Sequence, residues 1–127
     1  MKLTAISSLS EVEPVAWNAL NRDGDPFLTH EFLFGLELHD CLEPQGWYGS
    51  HILLHDDADE LIAAMPLYLR TNSYGEFVFD WAWADAFERA GGRYYPKFVS
   101  AIPFTPASGK RLLVADPTTL AIAAPAL

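Results

Sequence analysis

Hydrophobic and polar positions change period several times along this chain, and each change marks an element. Leu3–Ile6 is a short apolar run suited to a strand. From residue 11 the spacing lengthens: Val12, Val15, Ala16, Ala19 and Leu20 recur at helical intervals and predict a helix over about 11–21. Ser10-Glu-Val-Glu13 fits a capping box ahead of it, with Pro14 still in the first turn, where a missing N–H is tolerated. Asn21-Arg-Asp-Gly-Asp-Pro26 is a turn cluster. Thr29 then caps a second predicted helix over about 30–40, whose buried face carries Phe32, Leu33 and Leu36.

Past the break at Glu43-Pro-Gln-Gly46 the period shortens. His51–His55 and Leu61–Leu69 are two apolar runs separated by Asp56-Asp-Ala-Asp-Glu60, a hairpin pattern in which clustered acids solvate the loop. Pro66 has no N–H for a ladder, so the second strand must be bulged or at an edge there. Phe77–Trp83 predicts a third strand, with Phe77, Phe79, Trp81 and Trp83 on one face and Val78, Asp80 and Ala82 on the other. Ala84–Ala90 reads as one or two helical turns ended by Gly91-Gly92. Tyr94–Phe104 is broken by Pro96 and Pro103, and Arg111–Val114 is a short strand. Asp116-Pro117 starts a further helix over Thr118–Leu127 with no closing cap, the pattern of a chain that continues past Leu127. Two helices followed by strand-rich sequence predict one mixed α/β domain with a largely antiparallel sheet.

Composition narrows the function classes. At 127 residues the chain holds one hydrophobic core, and 50% hydrophobic content argues against disorder. Eight basic residues against seventeen acidic ones give a formal charge of −9, a field that repels phosphate backbones. The nearest thing to a basic patch is the scatter Arg89, Arg93, Lys97, Lys110 and Arg111, so direct nucleic-acid binding is not expected. Cys41 is the single cysteine, which excludes an internal disulfide. His39 stands two residues from it, a spacing at which helical side chains do not face each other. His30, His39, His51 and His55 form no metal signature. The amino terminus lacks a secretory pattern and no apolar run approaches the roughly eighteen residues of a membrane span. These features predict a soluble protein of the cytoplasm.

The stretch YGEFVFDWAWADAFE, Tyr74–Glu88, carries the candidate chemistry. Its aromatic face has two readings: core packed on the amino-terminal helices, or a strand whose last residues, Trp83 and Asp85, emerge at a pocket rim. Asp80, among large aromatics, is either solvated or paired. Desolvated without a partner, it would have a raised pKa and serve as a general base. Asp85 and Arg89 stand at i,i+4, the spacing of a surface ion pair. Tyr94-Tyr95-Pro-Lys97 offers ring faces and a cation to an anionic or sugar-like ligand, or packs with Lys97 at the surface. No dinucleotide or phosphate-loop fingerprint, nucleophile elbow, CxxC or HExxH occurs.

The segment Pro66–Leu113 resembles the signature region of a bacterial family of predicted N-acyltransferases. These are described as peptidoglycan biosynthesis or recognition proteins and placed in the GNAT superfamily near the Fem-type aminoacyl ligases. Phe79-Asp-Trp-Ala-Trp-Ala-Asp85, Tyr94-Tyr-Pro-Lys97 and Pro103-Phe-Thr-Pro106 carry the resemblance, supported by Pro26–Glu37 and Gly46-Trp47. It implies a GNAT-like domain, with this chain as the amino-terminal half of a longer two-lobed protein. It also implies transfer of an acyl or aminoacyl group to an amine, on a cell-wall precursor, from an acyl-CoA or aminoacyl donor. Such chemistry needs a base for the ammonium proton and donors for the oxyanion. The superfamily's Gln/Arg-x-x-Gly-x-Gly/Ala phosphate loop does not occur in this chain, so no cofactor is expected here. Asp85 is the catalytic candidate, and Trp83, Glu88, Tyr94, Tyr95 and Lys97 are the candidate substrate-binding residues. A non-catalytic module recognising cell-wall glycan or peptide, and an inactive fragment, are the alternatives.

Overall fold

The computed structural model describes residues 1–126 as a mixed α/β fold with two antiparallel sheets. The first sheet has the order β1-β3-β4-β7, from β1 (Lys2–Ile6), β3 (His51–His55), β4 (Leu61–Met65) and β7 (Leu113–Val114). The second has the order β2-β5-β6, from β2 (Trp47–Gly49), β5 (Tyr68–Arg70) and β6 (Lys97–Val99). Four helices accompany them: α1 (Pro14–Leu20), α2 (His30–Leu38), α3 (Trp81–Arg89) and α4 (Pro117–Ala123).

One bent hairpin builds both sheets. Its outward arm runs through β2 and β3, and its return arm through β4 and β5. Pro66, which lacks a donor, divides the return arm into two strands rather than leaving a bulge in one. The next donor, the Leu67 N–H, goes to Nδ1 of the buried His51 at 3.2 Å, and Ser50 N–H takes the Leu67 carbonyl at 2.9 Å. A side chain thus replaces a ladder acceptor, so the backbone stays satisfied where the sheets part.

The main core is Leu9, Trp17, Leu20, Leu28, Leu33, Leu53, Ala64, Ile102 and Leu113. Helices α1 and α2 supply much of it, and Trp17 donates its indole N–H to the Leu28 carbonyl at 2.9 Å. Thr29 caps α2 as expected, accepting from the Phe32 N–H. The predicted capping box is displaced: Ser8 and Glu11 form it, on a short 3-10 turn, while Pro14 opens α1 itself. Val15 lies outward and Trp17 takes the central core place, because the helix starts three residues later than the periodicity placed it. Asp116 accepts from the Thr118 and Thr119 N–H groups and starts α4.

The third predicted strand does not form. Residues 77–80 are irregular, and Trp81 begins α3. Phe77 and Phe79 have φ of 58° and 56°, a left-handed conformation that no strand accommodates. Neither they nor Trp81 and Trp83 enter the core: all four are exposed, Phe79 at 69% and Trp83 at 76%. Of the two readings of the aromatic face, packing on the amino-terminal helices fails because leucines and Trp17 already fill that volume, and the strand that would end at a pocket rim is replaced by α3.

Candidate functional site

The residue that diverts the aromatic stretch is Arg70, fully buried at the end of β5. Its guanidinium lies 3.9 Å from the centroid of the Trp47 ring, the position directly across in β2. It donates to Glu76 Oε1 at 2.9 Å, to the Gln45 carbonyl at 3.0 Å, to Asn72 Oδ1 at 2.9 Å and to the Tyr74 carbonyl. Three of these four acceptors lie within six residues downstream. A buried guanidinium must be satisfied, and here it gathers the chain into a turn instead of a strand. Gly75, at φ of 81°, completes the turn, since a Cβ there would sit 2.5 Å from the Phe104 ring.

Lys97 follows Arg70 in the same cross-strand row, Trp47–Arg70–Lys97. Its ammonium meets Glu76 Oε2 at 2.9 Å, Asp80 Oδ2 at 2.6 Å and Ser73 Oγ at 3.1 Å. The Tyr94 hydroxyl donates to the same Asp80 oxygen, and the Ser73 and Tyr95 hydroxyls bond each other. Glu76 bridges the two cations, so Arg70, Lys97, Glu76 and Asp80 form a charge-balanced network.

Burial by itself would raise the Asp80 carboxyl. The Lys97 ammonium and the Ser73 and Tyr94 hydroxyls overcome it and hold the pKa down, at about 2. The Lys97 ammonium is destabilised by its own burial, yet Asp80 and Glu76 shift its pKa upward overall. Tyr94 is raised, chiefly by its bond to Asp80. At neutral pH, then, Asp80 is a fixed anion and Lys97 a fixed cation. One oxygen stays free of hydrogen bonds: Asp80 Oδ1 is buried with no partner among the described residues.

Around this network the aromatic residues form an outward face. Trp81 lies 5.6 Å from Phe79 and 6.1 Å from Tyr74 between ring centroids, and Phe87 lies 6.2 Å from Tyr94. Of the sequence-predicted site residues, Tyr94, Tyr95 and Lys97 come together with Asp80. Trp83, Asp85 and Glu88 stand exposed on α3, where Asp85 pairs with Arg89 one turn away. Sequence reasoning missed Arg70, Ser73 and Glu76. The available signal was an arginine closing an apolar strand, with a glutamate six residues on.

Among the described residues no helix is long and apolar enough to cross a membrane. No curated protein and no solved structure matches the chain. A family model for peptidoglycan biosynthesis/recognition proteins matches residues 8–125, a span that takes in every helix and strand except β1, with the charged network and the aromatic face. The chain therefore belongs to the FemAB-like family, which implies a role in peptidoglycan biosynthesis or recognition.

Proposed function

We propose that this protein serves N-acyl transfer, moving an acyl or aminoacyl group to an amine of a cell-wall precursor in the cytoplasm, and that the face around Asp80 holds the acceptor. The observation that carries this reading is the adjacency of exposed aromatics to a buried, charge-balanced polar network. Exposed rings of this kind offer flat apolar surface to a sugar or peptide, while the network fixes polar groups beside them. In this reading Asp80 and Lys97 position the acceptor and do not exchange protons, because each is held in its charged form. Asp85 is the base: it is exposed one turn from Trp81 on α3, and the cation it pairs with, Arg89, is itself exposed. The acyl-CoA or aminoacyl donor belongs to the proposal as well.

Titrating the chain with muropeptide while following tryptophan emission tests acceptor binding, and mass spectrometry with acyl and aminoacyl donors tests transfer. Trp81→Ala and Asp80→Asn are expected to weaken binding by about tenfold. Asp85→Asn is expected to abolish transfer and leave binding intact. The unresponsive protonation states of Asp80 and Lys97 favour a second reading, recognition without catalysis. Saturable binding with no transfer from any donor, across the wild type, would select it.

A further inference from the structure

A cavity lies away from Asp80, against the four-stranded sheet. About 820 Å³ opens between the end of α1, strand β7 and helix α4, within the usual range of roughly 300–1,000 Å³ for ligand pockets. Leu20, Leu28 and Leu113 back it from the core, and Leu112, Val114 and Leu120 supply its more accessible apolar lining. The rim is different in kind. Arg22, Lys110 and Arg111 border it, three of the eight basic residues in a chain of formal charge −9.

Two acids accompany them: one pairs directly with a cation, and the other, Asp25, stands across Gly109 from Arg111 without pairing with it. Lys110 pairs with Asp23 at 2.7 Å. Asp25 spends one oxygen capping the Phe27 N–H at 2.9 Å. Among the described residues, neither Arg22 nor Arg111 pairs with a carboxylate. Arg111 is held by backbone instead, donating to the Ala107 carbonyl at 2.7 Å and the Lys110 carbonyl at 3.2 Å. Carbonyls orient a guanidinium without cancelling its charge, so three cations against two carboxylates leave the rim a net charge of +1 on an acidic chain.

From this juxtaposition we infer that the groove is a binding site for a single-chain aliphatic anion. The hydrocarbon chain lies along Leu112, Val114 and Leu120, and a carboxylate head meets Arg22 and Arg111. At long range two chains of formal charge −9 repel each other, which opposes a second copy as the occupant. A cationic amphiphile would meet the rim with the wrong sign. The inference stands apart from the acceptor face, which belongs to the other sheet.

Isothermal titration of the chain with decanoate, below its micelle concentration, tests this directly, with decanol and decyltrimethylammonium as neutral and cationic controls. Decanoate is expected to bind one-to-one, about tenfold or more tighter than either control. The double variant Arg22→Gln with Arg111→Gln should lose about tenfold in decanoate affinity. Leu120→Trp, at a half-exposed position, should fill the groove and remove binding, with thermal melts confirming that both variants fold. Equal binding of decanoate and a control overturns the inference, as does an unchanged affinity in Leu120→Trp. So does sedimentation showing a self-associated chain that Leu120→Trp disperses while decanoate fails to bind.

Discussion

Asp80 illustrates how a single residue's role follows from its partners. Isolated among aromatics, a carboxylate would be driven toward its neutral form. With Lys97, Tyr94 and Ser73 around it, Asp80 is driven the other way, to a pKa of about 2. An unfolded Asp titrates near about 3.9, so the folded value is depressed and the carboxylate stabilises the fold above that pH. The contribution is lost as pH falls through about 4 toward about 2. The difference in urea midpoint between the wild type and Asp80→Asn is therefore expected to be constant near neutrality and to shrink through that window. A difference that persists unchanged at pH about 2 would assign the effect to packing and not to charge. Arg70 acts through the same logic, since removing it would strand the buried carboxylate of Glu76, with only Lys97 left to compensate.

At the scale of elements, local signals and tertiary demands divide cleanly. Helix α2 starts where its cap says it should, because Thr29 satisfies an amide that nothing else reaches. Thr29→Ala is expected to cost about 1 kcal/mol in chemical denaturation. Helix α1 shows the limit of periodicity, since a box two residues earlier, at Ser8 and Glu11, caps a 3-10 turn and leaves Pro14 to begin the helix. The hairpin was legible from its acidic loop and flanking apolar runs, and so was an irregularity at Pro66. That this irregularity separates two sheets depended on His51, which lies fifteen positions earlier and receives the Leu67 N–H. Helix α3 buries only Ala84 and presents Trp81, Trp83 and Phe87 outward. Its position is set by Asp80 and the turn around Arg70. The left-handed Phe77 and Phe79 carry strain of about 1–3 kcal/mol each, of a kind that concentrates at functional sites.

For the whole molecule, the net charge of −9 is the dominant long-range term. Its self-repulsion acts over roughly 10 Å at 0.1 M ionic strength and is screened beyond that. Raising sodium chloride from about 10 mM to about 300 mM is expected to raise the melting temperature, because repulsion among many carboxylates outweighs the few exposed ion pairs that salt weakens. A melting temperature that falls with salt would assign the larger share to those pairs. The two candidate surfaces respond differently to the same field. The acceptor face rests on a neutralised network, whereas the groove carries a rim of net positive charge on an otherwise acidic chain.

By itself the sequence determined the mixed α/β class, the cap and extent of α2, the acidic hairpin and the start of α4. Each of these depends on interactions within a few residues, or on a periodicity that one sheet or helix face imposes. It also brought Tyr94, Tyr95 and Lys97 forward as a group. Only the tertiary structure decided where the aromatic stretch would go. Alternation records that residues could share a face, but not whether a core has room for them. Leucines and Trp17 had filled that space, and a buried arginine required acceptors from the following loop. The rings were left outside, and Asp80 was carried inward to meet Lys97.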